Sequence, residues 1–343
     1  MQISVSKYHG CGNDFIIARE ADAEGVDRAA LVRAACDRHL GIGADGMILV
    51  REQPLEMLYY NQDGSRAPMC GNGIRCFAAF CYDEGICTDT LFPVQTLAGE
   101  KQVKRIGTAP FLAEIGMGKP EFAPQKLDLD EEVLSKLKEA GEKQAAGKQT
   151  SDFSQTGNPD GDRGSVQALD TAAEAAEVLK TLERGALCAG KPKEAEIWGL
   201  PVPISLGGKT VTCSIYSFFM STHHTVVFVK DAFAEEIEAL GYAICHHPLF
   251  RAQTNVNFVE YIDRSHLRMQ TYERGCGMTL ACGTGACATV VCAHRLGLCG
   301  SETDVLLRCG KLHIKIGADE QVIMTGPAKR VMKGSFFFAE EEK

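Results

Sequence analysis

The chain contains no CxxC pair, no block of basic residues and no apolar run approaching the length of a membrane span. Its first residues, "MQISVSKYHG", lack the charged start and apolar core of a secretory signal. Each absence removes a class of function. Without a basic patch, neither nucleic acid nor an anionic membrane is an expected partner, and the net charge of −9 is mainly a solubility feature. Without a leader or a span, the expected location is the cytoplasm. Nor is there a glycine-rich phosphate site with a lysine in a matching context, so pyridoxal phosphate is not expected and the cofactor expectation is none.

What the chain does have is cysteine, 15 in 343 residues. An odd number leaves at least one outside any intramolecular disulfide framework, and in a reducing compartment such thiols stay free, mostly as small buried hydrophobes. From Cys70 to Cys87 and from Cys276 to Cys299, successive cysteines are separated by four to six residues, which fits no zinc or iron–sulfur pattern. His223–His224 and His246–His247 are no better, because adjacent residues do not share a helix or strand face. No metal is expected.

Two of the cysteines lie in matched surroundings. "MCGNGIRC" (Met69–Cys76) and "ACGTGACA" (Ala281–Ala288) superpose at an offset of 212. That offset also sets Tyr60 over Tyr272, Asn61 over Glu273, Gly71 over Gly283, Gly73 over Gly285 and Gly85 over Gly297. Each cysteine precedes a helix-compatible run ending at a glycine suited to a C-cap. Strand-like stretches, among them "DFIIA", "GMILV", "EMLYY", "TVVFV", "VNFVE", "DVLLR" and "VIMTG", surround both runs. Duplication is the better reading. The expected division is an N-terminal half at 1–118, an insertion or linker at 119–200 rich in Lys, Glu, Ala, Gln and Gly, and a C-terminal half at 201–343.

A cysteine at a helix start sits where unpaired N–H groups and the helix dipole favour negative charge, so its pKa is expected to fall. The glycines behind it allow close approach, and the free N–H groups form a carboxylate cradle. A single Cys-Gly can equally reflect tight packing. Two, in facing halves, would reach one bound ligand from opposite sides. That arrangement suits inversion of a stereocentre, in which one thiolate removes a proton and the opposite thiol delivers one. The helix-end N–H groups would stabilise the enolate-like charge that develops on the carboxylate.

At these residues the sequence resembles the diaminopimelate epimerases. The resemblance runs through "HGCGNDFIIA", "CDRHLGIGADGMILV", "YYNQDGSRAPMCGNGIRCFAAF", "HHPLFRAQTNVNFVE" and "TYERGCGMTLACGTGACATVV", in the family's order. It implies a cofactor-independent reaction interconverting LL- and meso-diaminopimelate, for lysine and peptidoglycan precursor synthesis, in a homodimer acting on a small amino-acid substrate. It also implies an α+β fold made of two duplicated domains, each half a mixed β-sheet rolled around a central helix, with the active site in the cleft between them. Carried over by motif, Cys70 and Cys282 look like the acid/base pair, and Gly71, Asn72, Gly283 and Thr284 like the cradle. Asn13, Asn61, Asn255, Glu273 and Arg274 look like ligand contacts, and Glu273 and His224 like groups that tune the cysteines.

The chain departs from the family pattern at two points. Where the family usually reads Gly-Asn-Pro-His, it has "STHH", so Thr222 replaces a ligand-binding Asn. Gly46 stands where some members carry a polar contact. Both changes bear on the distal end of the substrate and leave open a racemase of another amino acid on the same scaffold. A proline-type racemase is disfavoured by Asn72, where a His would be expected. A third class, a thiol–disulfide redox protein using Cys70 and Cys282, leaves the glycines and the Glu273–Arg274 pair without a role. "GIGADG" (Gly41–Gly46) matches a dinucleotide fingerprint in letters only, since a helix-like run precedes it and a strand-like run follows.

Overall fold

The computed structural model describes residues 1–149 and 196–339; most of the expected insertion, including "SDFSQTGNPDGDRGS" and "TAAEAAEVLKTLERG", lies outside the described residues. The first half opens with β1 (Gln2–Gly10), β2 (Asn13–Arg19), α1 (Arg28–Cys36), β3 (Gly46–Arg51) and β4 (Glu56–Asn61). It continues through α2 (Gly71–Asp83), β5 (Leu91–Val94), β6 (Lys101–Thr108) and β7 (Phe111–Gly118). After α3 (Glu131–Gln149) come β8 (Ile197–Leu206), β9 (Lys209–Phe219), β10 (His223–Phe228), α4 (Ile237–Cys245), β11 (Asn255–Asp263), β12 (His266–Glu273) and β13 (Gly277–Thr279). The chain ends with α5 (Gly283–Arg295), β14 (Glu302–Leu307), β15 (Gly310–Ile316) and the long β16 (Val322–Phe337).

All seven stretches expected to be strands are strands. In the first half they run β4-β3-β2-β1 and then β16, while β5, β6 and β7 form an antiparallel meander that also reaches β16. A parallel bridge between Glu56 and Gln95 joins the two free edges and wraps the sheet round α2. The second half runs β8-β9-β10-β11-β12-β14-β15-β16, and Glu121 bridges to Phe219 across its open edge. Parallel pairs (β2 with β3, β10 with β11, β12 with β14) sit among antiparallel ones, so the sheet is mixed, as the α+β expectation required.

The two central helices account for the unusual hydrophobicity of the cysteine runs. A helix with one wet face alternates polar and apolar positions, but one enclosed by a sheet is apolar all round. In α2, every residue from Gly71 to Cys81 is buried, including Ile74, Cys76, Phe77 and Phe80. In α5, every residue from Gly285 to Ala293 is buried. Fully burying a side chain such as Phe77 stabilises by roughly 1.5–3 kcal/mol. Gly85 and Gly297 end the helices in the left-handed region, at φ +67° and +75°, where glycine carries no Cβ penalty.

Both ends of α2 and α5 are separated by 212 residues, as the repeat required. The strands in front of them match at 209 instead: Phe15 faces Gly46 as His224 faces Asn255. The difference is absorbed in the β11–β12 hairpin, because Met47 faces Tyr60 as Val256 faces Tyr272. The structural counterparts are therefore Asn13 with Thr222, Phe15 with His224, Gly46 with Asn255, Ile48 with Asn257, and Asn61 with Glu273. A single sequence offset could not reveal the first four.

Candidate active site

The two helix starts meet. A Cβ on Gly71 would lie 3.6 Å from the Gly283 Cα, and one on Gly283 would lie 3.4 Å from the Gly71 Cα. Met324 of β16 packs beside both, so a side chain at either position would also crowd its thioether. Cys70 and Cys282 are the N-cap residues of these helices, each in extended backbone one residue before its glycine. Two sets of orphan helix N–H groups and two thiols thus converge on one point, where an anionic group and its neighbouring carbon can be held together.

On the first side, Cys70 Sγ accepts from the Gly73 N–H at 3.4 Å and donates to Asn13 Oδ1 at 3.8 Å. Asn13 Nδ2 donates to Asp45 at 2.6 Å, and Asn72 Nδ2 donates to Asn13 Oδ1 and to the Ala281 carbonyl. The Asn72 amide is oriented by Arg75, whose Nη2 donates to Asn72 Oδ1 at 2.9 Å. Arg75 is fully buried, and its other bonds go to the Gly71 carbonyl, the Pro327 carbonyl and the Met324 sulfur. No carboxylate pairs with it among the described residues. Its charge instead favours a thiolate at Cys70.

On the second side, Cys282 contacts Thr284 Oγ1 at 3.5 Å. Glu273, at the end of β12, accepts from Thr279 Oγ1 at 2.6 Å and from the Cys282 thiol. Burial raises the Glu273 carboxyl above its ordinary value, and those two hydrogen bonds pull it back. Asn255 Oδ1 accepts from the Arg274 N–H at 3.0 Å, and the exposed Arg274 side chain donates to the Ala252 carbonyl. Of the remaining sequence-expected residues, the Asn61 amide donates to Ser65, and the Thr222 carbonyl accepts from Met220. His224 is fully buried and meets Asn257, Nδ2 to Nδ1 at 3.1 Å, with burial holding its pKa down to about 3.

The expected fall in cysteine pKa is corrected by the structure. Burial pushes Cys70 up to about 11, and the carboxylate of Glu273 adds to that; the Gly73 and Asn72 N–H groups and Arg75 pull it down only in part. Cys282 is raised well above the ordinary thiol value by burial and then by Glu273, against Thr284 and the Gly285 N–H. The helix-end contribution is real but smaller than desolvation. Neither sulfur is in a disulfide.

The floors beneath the two thiols differ, which sequence reasoning missed. Under Cys70 lie Ile48, whose Cδ1 would be 3.3 Å from a Cβ on Gly73, and Phe15 edge-on to Tyr59. Their counterparts under Cys282 are Asn257, His224 and Thr271, joined by hydrogen bonds; Thr271 Oγ1 donates to Asn257 Oδ1 at 3.1 Å. One thiol rests on an apolar floor and the other on a polar one. Asp45 and Thr279 were also missed, although both lie inside the motif blocks.

A family model for diaminopimelate epimerase matches residues 5–123 and 216–331, the two parts that supply both thiols. The chain belongs to the diaminopimelate epimerase family. It is 31% identical over 342 residues to the diaminopimelate epimerase of Alkaliphilus metalliredigens, covering 98% of both chains. It is 34% identical to that of Moorella thermoacetica, covering 96% of this chain and 98% of the relative. Among solved structures, a PhzF-family phenazine biosynthesis protein from Bacillus anthracis superposes with a TM-score of 0.58 at 13% identity, covering 98% of this chain and 100% of that one. A hydroxyproline epimerase from Agrobacterium vitis superposes at 0.57 and 12% identity, covering 97% and 90%. At those identities they bear on the fold alone, and they agree with the duplicated architecture.

Proposed function

We propose that this member of the family interconverts LL- and meso-diaminopimelate without a cofactor, with Cys70 and Cys282 as the acid/base pair. The observation that carries this reading is the abutment of Gly71 and Gly283, which brings two N-cap thiols and two helix ends to one point. In the reaction, the α-carboxylate lies on the N–H groups of Gly71, Asn72, Gly283 and Thr284. One sulfur, as thiolate, takes the α-proton from one face. The other, as thiol, gives its proton to the opposite face of the resulting carbanion, and the pair ends with its roles exchanged. Removing a donor of this kind typically costs about 2.7–4 kcal/mol in the transition state.

Burial favours the neutral form of both thiols, so in this reading one loses its proton as substrate binds. Glu273, already in contact with the Cys282 thiol, is the nearby acceptor, and the substrate ammonium offsets the charge formed. Asn13, Asn61, Thr222, Asn255 and Arg274 supply contacts to the rest of the amino acid, and His224 acts through Asn257 on the Cys282 side. The proposed division is 1–118, 119–200 and 201–343. A cytoplasmic homodimer follows from the family resemblance, and sedimentation would test the dimer. Among the described residues, no helix is long and apolar enough to cross a membrane.

The decisive experiment follows α-proton loss by NMR in deuterated water, with LL-diaminopimelate and with a panel of L-amino acids, for the wild type, Cys70→Ala and Cys282→Ala. Exchange with diaminopimelate alone, lost or badly impaired in both variants, is the expected result. Exchange with another amino acid only would move the substrate, and no exchange at all would remove the reading.

A further inference from the structure

Tyr59 opens the block "YYNQDGSRAPMCGNGIRCFAAF" but is none of the residues to which the resemblance gives a role, and it stands beside the reacting centre. On β4 it alternates with Asn61, so both side chains leave the sheet on one face, toward α2. Its ring packs edge-on to Phe15, centroids 5.9 Å apart at 76°. Glycine at 46 leaves room for it: a Cβ there would lie 2.6 Å from the Tyr60 carbonyl oxygen, 2.8 Å from Tyr59 Cε2 and 3.4 Å from the Tyr59 hydroxyl oxygen. Gly46 is directly opposite Asn61 and is the structural counterpart of Asn255. The absent side chain at 46 and the aromatic ring at 59 fit one another.

The hydroxyl is not satisfied by the described residues. It makes no hydrogen bond to any described residue, and it is not among the sealed-off unpaired atoms, so it keeps some access to solvent although the residue is 8% exposed. Its counterpart in the other half, Thr271, donates its hydroxyl to Asn257 and is internally satisfied. The ionisable groups acting on Tyr59, after burial itself, are Cys70, Glu273, Cys276 and Asp45, and together they hold its proton firmly. Every one of them is neutral or negative, and Arg38, beside Asp45, is bound to it at 2.7 Å. A ligand group complementary to this corner is a cation, and the cation of an amino-acid substrate is its ammonium.

We propose that Tyr59, admitted by Gly46, is a substrate-contacting residue whose hydroxyl oxygen accepts a hydrogen bond from an ammonium group of the bound amino acid. This deepens the epimerase reading and rests on it. It also accounts for Gly46 as a replacement of one polar contact by another, supplied from the facing strand.

The test compares wild type with Tyr59→Phe, which keeps the ring and its contact with Phe15. KM for LL-diaminopimelate is expected to rise roughly 10-fold or more, the size of a lost hydrogen bond to a charged group, with kcat within about threefold. Inhibition by pimelate, the same dicarboxylate without amino groups, is expected to be equal in the two proteins. Tyr59→Met, which removes the hydroxyl and the ring, serves if the first variant fails to fold as judged by circular dichroism. An unchanged KM in a folded variant overturns the proposal alone, as does a loss of pimelate inhibition in step with KM, which would make the hydroxyl a carboxylate donor. A wild type that exchanges no α-proton of diaminopimelate overturns the epimerase reading and this proposal with it.

Discussion

Single residues in this protein are governed more by desolvation than by the helix ends that frame them, and His224 is the clearest case. Its imidazole is fully buried, and burial, with His223 and Arg274 pushing the same way, holds its pKa to about 3. In the unfolded chain a histidine titrates near 6.5. Between those values the unfolded chain binds a proton that the folded protein refuses. The stability associated with the neutral ring is therefore fully present above about pH 6.5 and declines as pH falls toward 3, by up to about 1.4 kcal/mol per unit. Between about pH 7 and 5 the loss should be roughly 2 kcal/mol, with half-buried His247, also shifted down by burial, adding in the same direction. Thermal midpoints of wild type and His224→Gln across that range should diverge in slope, the variant being flatter. Parallel curves would mean that His224 takes up its proton without cost.

At the level of elements, the two helices are copies in register but not in what lies under their first turn. A Cβ on Gly73 would sit 3.2 Å from Cys70 Cβ and 3.3 Å from a methyl of Ile48, contacts a flexible side chain can relieve. A Cβ on Gly285 would sit 2.3 Å from Asn257 Oδ1, the atom that also receives the Thr271 hydroxyl. Alanine is favoured over glycine in a helix interior by about 1 kcal/mol, so Gly73→Ala should be close to neutral. Gly285→Ala should cost about 1–3 kcal/mol, because it overpacks a hydrogen-bonded floor. Adding Asn257→Ala should recover part of that loss, giving a coupling of at least about 0.5 kcal/mol in urea denaturation. Strict additivity would show that Asn257 is not what Gly285 avoids.

The same contrast explains how much of the site was legible beforehand. Cys70, Cys282 and the helix-end glycines could be read because helix, cap and repeat are local patterns. The strands could be read from their apolar runs. The polarity of each thiol's floor, the upward shift of both thiols and the fit of the Tyr59 ring over Gly46 could not. Each depends on a residue in a neighbouring strand, and the repeat slips by three residues between the strands and the helices.

At the scale of the molecule, the halves are not independent bodies, because β16 belongs to both. Its residues Val322–Ala328 pair with β7, and part of that stretch also pairs with β15 of the second half. Its continuation, Lys329 to Phe337, pairs with β1 of the first. Met324, in the middle of the shared segment, touches both helix starts, and the Pro327 carbonyl accepts from buried Arg75. The strand that closes the sheet therefore also sets the distance between the two thiols, and neither half can lose it without disturbing the site. Unfolding should accordingly be one cooperative transition. The chain's single tryptophan, Trp198, lies in β8 of the second half, packed edge-on against Tyr216 at 5.2 Å, and its fluorescence reports that half. Hydrogen exchange of the β1 and β2 amides reports the other. In urea, the fluorescence midpoint and the midpoint for loss of β1–β2 protection should coincide, and a Cys70 alkylation midpoint should fall with them. If β1–β2 opened at clearly lower urea than Trp198, β16 would be an added contact rather than the common frame, and the geometry of the thiol pair would have to be held by the helix ends alone.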